Sequence, residues 1–454
     1  MSLRELQNYV TRHVNFTALA NVCVPLAMLR QAVAHAWVRL AMPVQLRELR
    51  SDAKPKWSLS TNPFILTLLA AIWLLNVHSS NASQEFVECS EAVFYQPTEQ
   101  LWVQADYLLW WARAAETPAL VTTSPNGTPR EEAGVLGFAN TRVLLGGSLA
   151  DEVRSGVRIR TGLWTECDQS RGLEFDFLML ERQSVFYSNT TSGNPIVARP
   201  FLDANTNQQV AELVGFTGAA SGTINAEVRS DGLWGFGANF RRLLRACETC
   251  EYGYERLDFL AGYRNANLSD LIRIREDLES PLFGAGAGIL TTDEFSTRNL
   301  FHGANLGLRY EKRKNNFNLN AFANVALGVT ESRVAIDGST RITSNAFAPI
   351  NHDGGLLALT TNMGRLSESA FTALADCGVN AGLRLRQNFA LNVGYTFLIW
   401  PNVMRAGNQI DTAVNPDLLP PAIPNSTGPN RPGRSEVKQD FWAQGINLGF
   451  EYRY

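Results

Sequence analysis

The chain has 454 residues, of which 45% are hydrophobic, 10% aromatic and 18% charged, too apolar a mixture for a disordered chain. Forty Lys and Arg against 43 Asp and Glu give a net charge of -3, without the basic excess of a polyanion binder, so no nucleic-acid partner is expected. No apolar run reaches the length of a membrane-spanning helix, which excludes a helical membrane bundle.

The first predicted element is an export signal. Phe64–Val77 is a short apolar core, preceded by Lys54 and Lys56 and followed by Ser80-Asn81-Ala82. A positive n-region, an apolar core too short to span and a small-x-small site make a secretory signal peptide over 54–82, cleaved after Ala82. Residues 1–53 form an N-terminal extension, read either as a targeting segment or as the product of a start codon placed too early, with Met42 an alternative start. Residues 83–100 follow as a short periplasmic segment. Cys89 lies too far from the apolar core for a lipobox. In an oxidising compartment Cys247 and Cys250 can pair as a disulfide; their single Cys-x-x-Cys lacks the further ligands of a structural zinc site.

From residue 101 to 454 the sequence reads in period two. At the C-terminus Trp442, Ile446, Leu448, Phe450, Tyr452 and Tyr454 share one face, and Ala443, Gly445, Asn447, Gly449, Glu451 and Arg453 the other. The same alternation recurs over Leu173–Met179, Leu257–Arg264, Asn305–Glu311, Phe317–Gly328 and Phe389–Ile399. Alternation marks strands with one apolar and one polar face. Several run beyond the 5–6 residues usual in soluble sandwiches and reach the 9–11 tilted residues that cross a bilayer. Twelve strands are predicted, at 101–111, 153–165, 171–184, 222–229, 233–243, 253–264, 268–279, 297–312, 316–331, 369–386, 389–400 and 440–454. Their connections alternate short and long, as periplasmic turns and external loops do in outer-membrane barrels. The expectation is an all-β, closed, antiparallel transmembrane barrel of about twelve strands. Its first strand pairs with its last, because an open edge in lipid would leave polar backbone groups unpaired. This parse places the Pro-rich connection 401–439 and the Cys247/Cys250 pair at the external end.

Particular segments carry a family resemblance. Trp102–Trp111 (WVQADYLLWW) resembles the opening strand of the beta-barrel porin type 7 family, found mainly in planctomycetes, and Gly156–Trp164 (GVRIRTGLW) resembles its next strand. Asn299–Leu308, Gly394–Trp400 and Gln444–Tyr454 are similar to later segments of the family, so the resemblance covers about residues 100–454. It implies an outer-membrane barrel and carries no catalytic residue set. Phe450, Tyr452 and Tyr454 also resemble the aromatic C-terminal signal read by the outer-membrane assembly machinery; an ordinary interfacial girdle is the other reading.

No cofactor is expected. After residue 82 the sequence holds two histidines, His302 and His352, with no Ser–His register that would support a hydrolase, so the chain is read as a non-enzyme. The candidate site is the lumen. Arg158 with Arg160, Glu174 with Asp176, and Arg384 with Arg386 share inward faces, and Arg241, Arg256, Asp258, Arg264 and Arg309 also read inward. Two readings stand: a charged constriction that biases passage of ions or small solutes, or a paired network that fills a narrow barrel. The function expected first is a passive or weakly selective channel for small hydrophilic solutes. The alternative is a plugged structural or surface-interaction barrel acting through its external loops. Expected partners are the bilayer, the assembly machinery and small solutes or ions; oligomeric state is not legible. Trp102, Trp110, Trp111, Trp164, Trp400 and Trp442 fall near predicted strand ends, as interfacial belts require.

Overall fold

A computed structural model describes residues 100–249, 253–279, 287–345 and 347–454. The expected extension, the signal peptide, residues 83–99 and Cys250 lie outside the described residues. The strands, in chain order, are β1 (Leu101–Ala112), β2 (Ala115–Ser124), β3 (Arg142–Leu149), β4 (Arg154–Trp164), β5 (Arg171–Leu180), β6 (Gln183–Thr191), β7 (Ile196–Asp203), β8 (Gln208–Gly215), β9 (Ser221–Thr249), β10 (Gly253–Glu279), β11 (Gly288–Lys314), β12 (Phe317–Ser344), β13 (Phe347–Asp353), β14 (Gly364–Arg386), β15 (Phe389–Met404), β16 (Ala413–Val414) and β17 (Lys438–Arg453).

The main sheet has twelve strands, and ten of them close a ring in the order β10-β11-β12-β14-β15-β17-β1-β4-β5-β9, with β9 returning to β10. Closure runs through the first and last strands, from Trp102 opposite Arg453 to Ala112 opposite Ala443. β6 and β13 continue the sheet outside the ring, on β9 and β12. An even-stranded antiparallel ring leaves no open edge in lipid.

Two expected pairs of strands are single strands. The segments 222–229 and 233–243 are both β9, which is 29 residues long, and 253–264 and 268–279 are both β10, which is 27 residues long. The expected turn at 230–232 is a β-bulge: the pairing slips between Leu268–Leu233 and Asp270–Ser230, so Asp231 and Gly232 together oppose Ser269. Gly232 takes φ +79°, where an added Cβ would lie 2.3 Å from the Leu180 carbonyl oxygen. Glycine is the residue that adopts this conformation freely. The expected turn at 265–267 pairs continuously with both neighbours. Merging the first pair moves the connection after β9 to the opposite end, and merging the second restores the expected parity of the later connections. The connection 250–252 joins the short-turn end, with 165–170, 315–316 and 387–388. Cys247 therefore belongs to the short-turn end, not to the long-loop end.

The wall has two levels. Below the bulge, β10 points Leu257, Phe259 and Tyr263 outward and Arg256, Asp258 and Arg264 inward. Above it, the outward positions become Arg273, Arg275 and Asp277, and the inward ones Ile272, Ile274 and Leu278. β9, β11 and β12 change at the same level. The outward apolar band thus spans 234–244 on β9 and 317–329 on β12, a length that crosses a bilayer with tilt. Above the band β6, β9, β10, β11 and β12 rise as an open wall. A second sheet, ordered β16-β7-β2-β3 with β8 on β7, packs against its inner face. Val121, Val197 and Val214 of this sheet share one buried core with Ile274, Phe295 and Val334 of the wall. Each such side chain contributes about 1.5–3 kcal/mol through burial.

Candidate functional site

Inside the band the lumen is crossed, not merely lined. Arg158 on β4 bonds Asp176 on β5 through Nε at 3.0 Å and reaches Asp376 on β14, four strands around the ring, with Nη2 to Oδ2 at 3.0 Å. Asp376 also pairs with Arg264 on β10 and accepts from Asn324 Nδ2 at 3.1 Å. The guanidinium carbons of Arg158 and Arg160 stand 5.0 and 5.1 Å over the Phe322 ring on β12, the strand diametrically opposite β4. Arg160 pairs with Asp106 at 3.2 Å. All four of Arg158, Arg160, Asp106 and Asp376 are at most 3% exposed.

Toward the short-turn end a second cluster closes the same space. Arg241 and Arg256 hold Asp258 at 2.6 and 2.7 Å, and Arg309 holds Glu174 at 2.6 Å. Arg256 stacks on Trp164 at 4.0 Å, and Arg309 reaches from β11 to Trp102 on the opposite strand β1 at 5.8 Å. Arg453 on β17 spans to Glu311 on β11 at 2.6 Å. Such pairs are held by mutual attraction and further hydrogen bonds in a low-dielectric space, and removing one partner strands the other. Ten strands lie close to the eight whose interior side chains fill, far from the sixteen that leave an aqueous channel.

Glycines make this filling possible. Gly394 on β15 faces Asn380 on β14, and a Cβ there would lie 1.8 Å from Asn380 Oδ1. The amide lies flat over the glycine. Both polar atoms of Asn380 and of Asn392 are buried with no protein partner, a condition that calls for ordered water. The cavity bordered by Glu174, Asp176, Arg264 and Asn305 has a volume of about 20 Å³, room for one or two waters.

Above the charges lies an apolar layer. Leu108, Trp110, Phe301, Leu374, Leu398 and Trp400 converge in it from β1, β11, β14 and β15, all fully buried or nearly so. Phe301 and Trp400 meet edge to face at 6.1 Å. The Trp110 indole donates to Asn447 Oδ1 at 2.8 Å and that of Trp400 to Thr330 Oγ1 at 3.0 Å. The expected tryptophan belt is thereby corrected. Trp102, Trp110, Trp164 and Trp400 share the inward parity of their strands, whereas Trp111 and Trp442 take outward positions.

A third level is clasped by charges that the sequence reading missed. Arg405, just past β15, pairs with Asp270 on β10. Arg199 on β7 pairs with Glu276 on β10 and, at 2.8 Å, with Asp293 on β11. Asp293 also accepts the Leu357 and Ala358 amides at 3.1 and 2.8 Å, drawing the β13–β14 connection inward. Burial pushes the neighbouring Glu212 carboxyl up to about 8, the like charge of Glu276 adding to it and Arg199 opposing it. The available signal was the apolar run Ile196–Phe201, interrupted only by Arg199.

Of the predicted lumen charges, Arg158, Arg160, Glu174, Asp176, Arg241, Arg256, Asp258, Arg264 and Arg309 all turn inward. Arg384 borders a cavity at the short-turn mouth with Asn318 and Glu451. Arg386 does not share its face: the pairing slips at Leu385 and leaves Arg386 exposed at the turn. Cys247 is exposed. Phe450 and Tyr452 project outward, Phe450 stacked on Phe389 at 5.9 Å and Tyr452 beside the terminal Tyr454 at 6.4 Å. His302 lies on the outward face between Tyr263 and Asn265, and His352 sits on β13 opposite Thr340.

Among solved structures, the chain is similar to the outer membrane protease OmpT from Escherichia coli, at 8% identity and a TM-score of 0.37, covering 78% of this chain and 97% of that one. It is also similar to the CymD monoaromatic hydrocarbon channel (6% identity, TM-score 0.20, 79% and 90% covered) and to a Pseudomonas aeruginosa FadL homologue (5%, 0.21, 79% and 90%). No curated protein matches the sequence. A family model described as "Putative beta barrel porin-7 (BBP7)" matches residues 102–454. The chain, an outer-membrane β-barrel, belongs to the beta barrel porin-7 family.

Proposed function

We propose that this protein is a sealed barrel whose work is done at its long-loop end, as a structural or surface-interaction component of the outer membrane. The observation that carries the reading is the contact across the lumen from β4 to β12 and β14, roofed by the Trp110–Phe301–Trp400 layer. A solute would have to part buried ion pairs, then an apolar layer, then a packed sheet. The bilayer and the assembly machinery are its proposed partners, the latter through Phe450, Tyr452 and Tyr454. His302 faces outward and His352 sits on β13, so the two histidines of this region do not share a site.

A passive or weakly selective channel for small hydrophilic solutes is the second reading. The family description and the unpartnered amides of Asn380 and Asn392 favour it. Single-channel conductance of refolded residues 83–454 in a planar bilayer separates the two. Silence from protein verified as folded is expected. Discrete ohmic steps from the unmodified chain would overturn the sealed reading.

A further inference from the structure

The free edges of the long-loop end are not alike. β13 is 7 residues long and carries Pro349 and Asp353. β3 contains Gly146 and Gly147, both at positive φ, and its pairing with β2 slips twice. β8 carries Glu212 and pairs with β7 through an irregularity. Shortness, proline, charge and bulges are the devices by which proteins blunt a sheet edge. β6 has none of them. It is 9 residues, QSVFYSNTT, with no charge, proline or glycine. It pairs on one side with β9 without a slip, from Gln183 opposite Ser230 to Thr191 opposite Gly222. Phe186 projects from its outward face at 72% exposure, across from Glu227 and above the apolar band.

We propose that the free edge of β6 is a strand-addition site for an extended, uncharged segment of another protein, which hydrogen-bonds to its backbone and covers Phe186 with an apolar side chain. Main-chain pairing supplies affinity in such sites and alternate side chains supply specificity. A neutral edge suits a neutral strand, because no like charges face each other across the pair. A second copy in the same membrane does not fit. Antiparallel pairing of two β6 strands needs a two-fold axis normal to the sheet, which would invert one barrel in the bilayer. Parallel pairing needs an axis along strands tilted by roughly 35–45° from the barrel axis, which would lay one barrel over. The proposal rests on the surface-interaction reading and names its site.

The test uses the purified protein in nanodiscs. The probe is a fluorescent, end-capped synthetic peptide of the β6 sequence itself, which is neutral and free to align antiparallel. Saturable binding is expected, with slowed hydrogen exchange at 183–191. Phe186→Lys should weaken it at least tenfold, and N-methylating alternate peptide amides should abolish it. Absence of binding, or binding indifferent to both changes, overturns the proposal. So does a Phe186→Lys variant that alters only lipid contact, which would make Phe186 an interfacial anchor. Failure here together with electrical silence would sink the edge site and leave the sealed barrel standing.

Discussion

Within one strand, β10, two solvents have written opposite chemistries. Below the level of the bulge Tyr263 and Phe259 face lipid and Arg256, Asp258 and Arg264 face the lumen. Above it Arg273 and Asp277 face water and Ile272, Ile274 and Leu278 face a core. The parity of β10 never changes; the medium that each parity meets does. The lower half is held by paired charges in a confined interior, the upper by ordinary apolar packing. Backbone geometry thus makes one continuous sheet, and the medium on each side decides which side chains stabilise it.

That contrast can be broken from either side. The largest effect is expected below. Asp376→Ala leaves Arg158 and Arg264 without a shared carboxylate and should cost about 3–5 kcal/mol, read as a lower urea midpoint for unfolding from micelles. Hydrogen exchange at 271–279 should stay near wild type. Ile274→Ala attacks the upper half and should cost about 2–5 kcal/mol. Its signature is local: faster exchange in the outer parts of β9–β12, with the band unaffected. If either variant loosened both halves equally, the two levels would be one cooperative unit.

A smaller effect should come from pH. Glu212 holds its proton up to about 8, whereas an unfolded glutamate releases it near 4.3. Between those values the folded form binds more protons than the unfolded one, so this group's contribution to stability falls as pH rises. The protection of β7 and β8, measured as exchange relative to the intrinsic rate at each pH, should therefore fall from pH 5 to 8, and Glu212→Gln should flatten the trend. A flat profile in the unmodified protein would mean that Glu212 titrates alike in the folded and unfolded chain. The smallest change is expected from Tyr107→Phe, which removes a 2.8 Å bond to Ser155 Oγ on the outward face, worth about 0.5–1.5 kcal/mol. It should shift the urea midpoint slightly without touching the upper half.

The band was legible because its alternation is clean. β1, β15 and β17 begin within two residues of the expected positions, and the outward faces of β17 and β12 are the ones predicted. Legibility stopped where the chemistry inverts. A strand that leaves lipid swaps its apolar face, and in β9 the bulge shifts the phase as well, so one strand resembles two. The short strands β2, β3, β7, β8 and β16 fell inside expected loops, being too brief and too interrupted by Gly and Pro to show a period. Among the charges, nine inward positions followed from parity alone. Their partners Asp106 and Asp376 did not, because which strands stand side by side or face each other across the lumen is set by ring order and not by sequence spacing.

The Asp231–Gly232 bulge has a consequence for how the chain tolerates length changes. Removing one of its two residues would heal the slip, keep Ser230 opposite Asp270 and leave Ile224, Ala226 and Val228 facing the core. Removing a pair elsewhere in the upper wall would shorten it and preserve its faces. The bulge acts as a spare position in the reading frame of the sheet: β9 can lose one residue there and keep its faces, whereas the regularly paired wall above it changes height in steps of two.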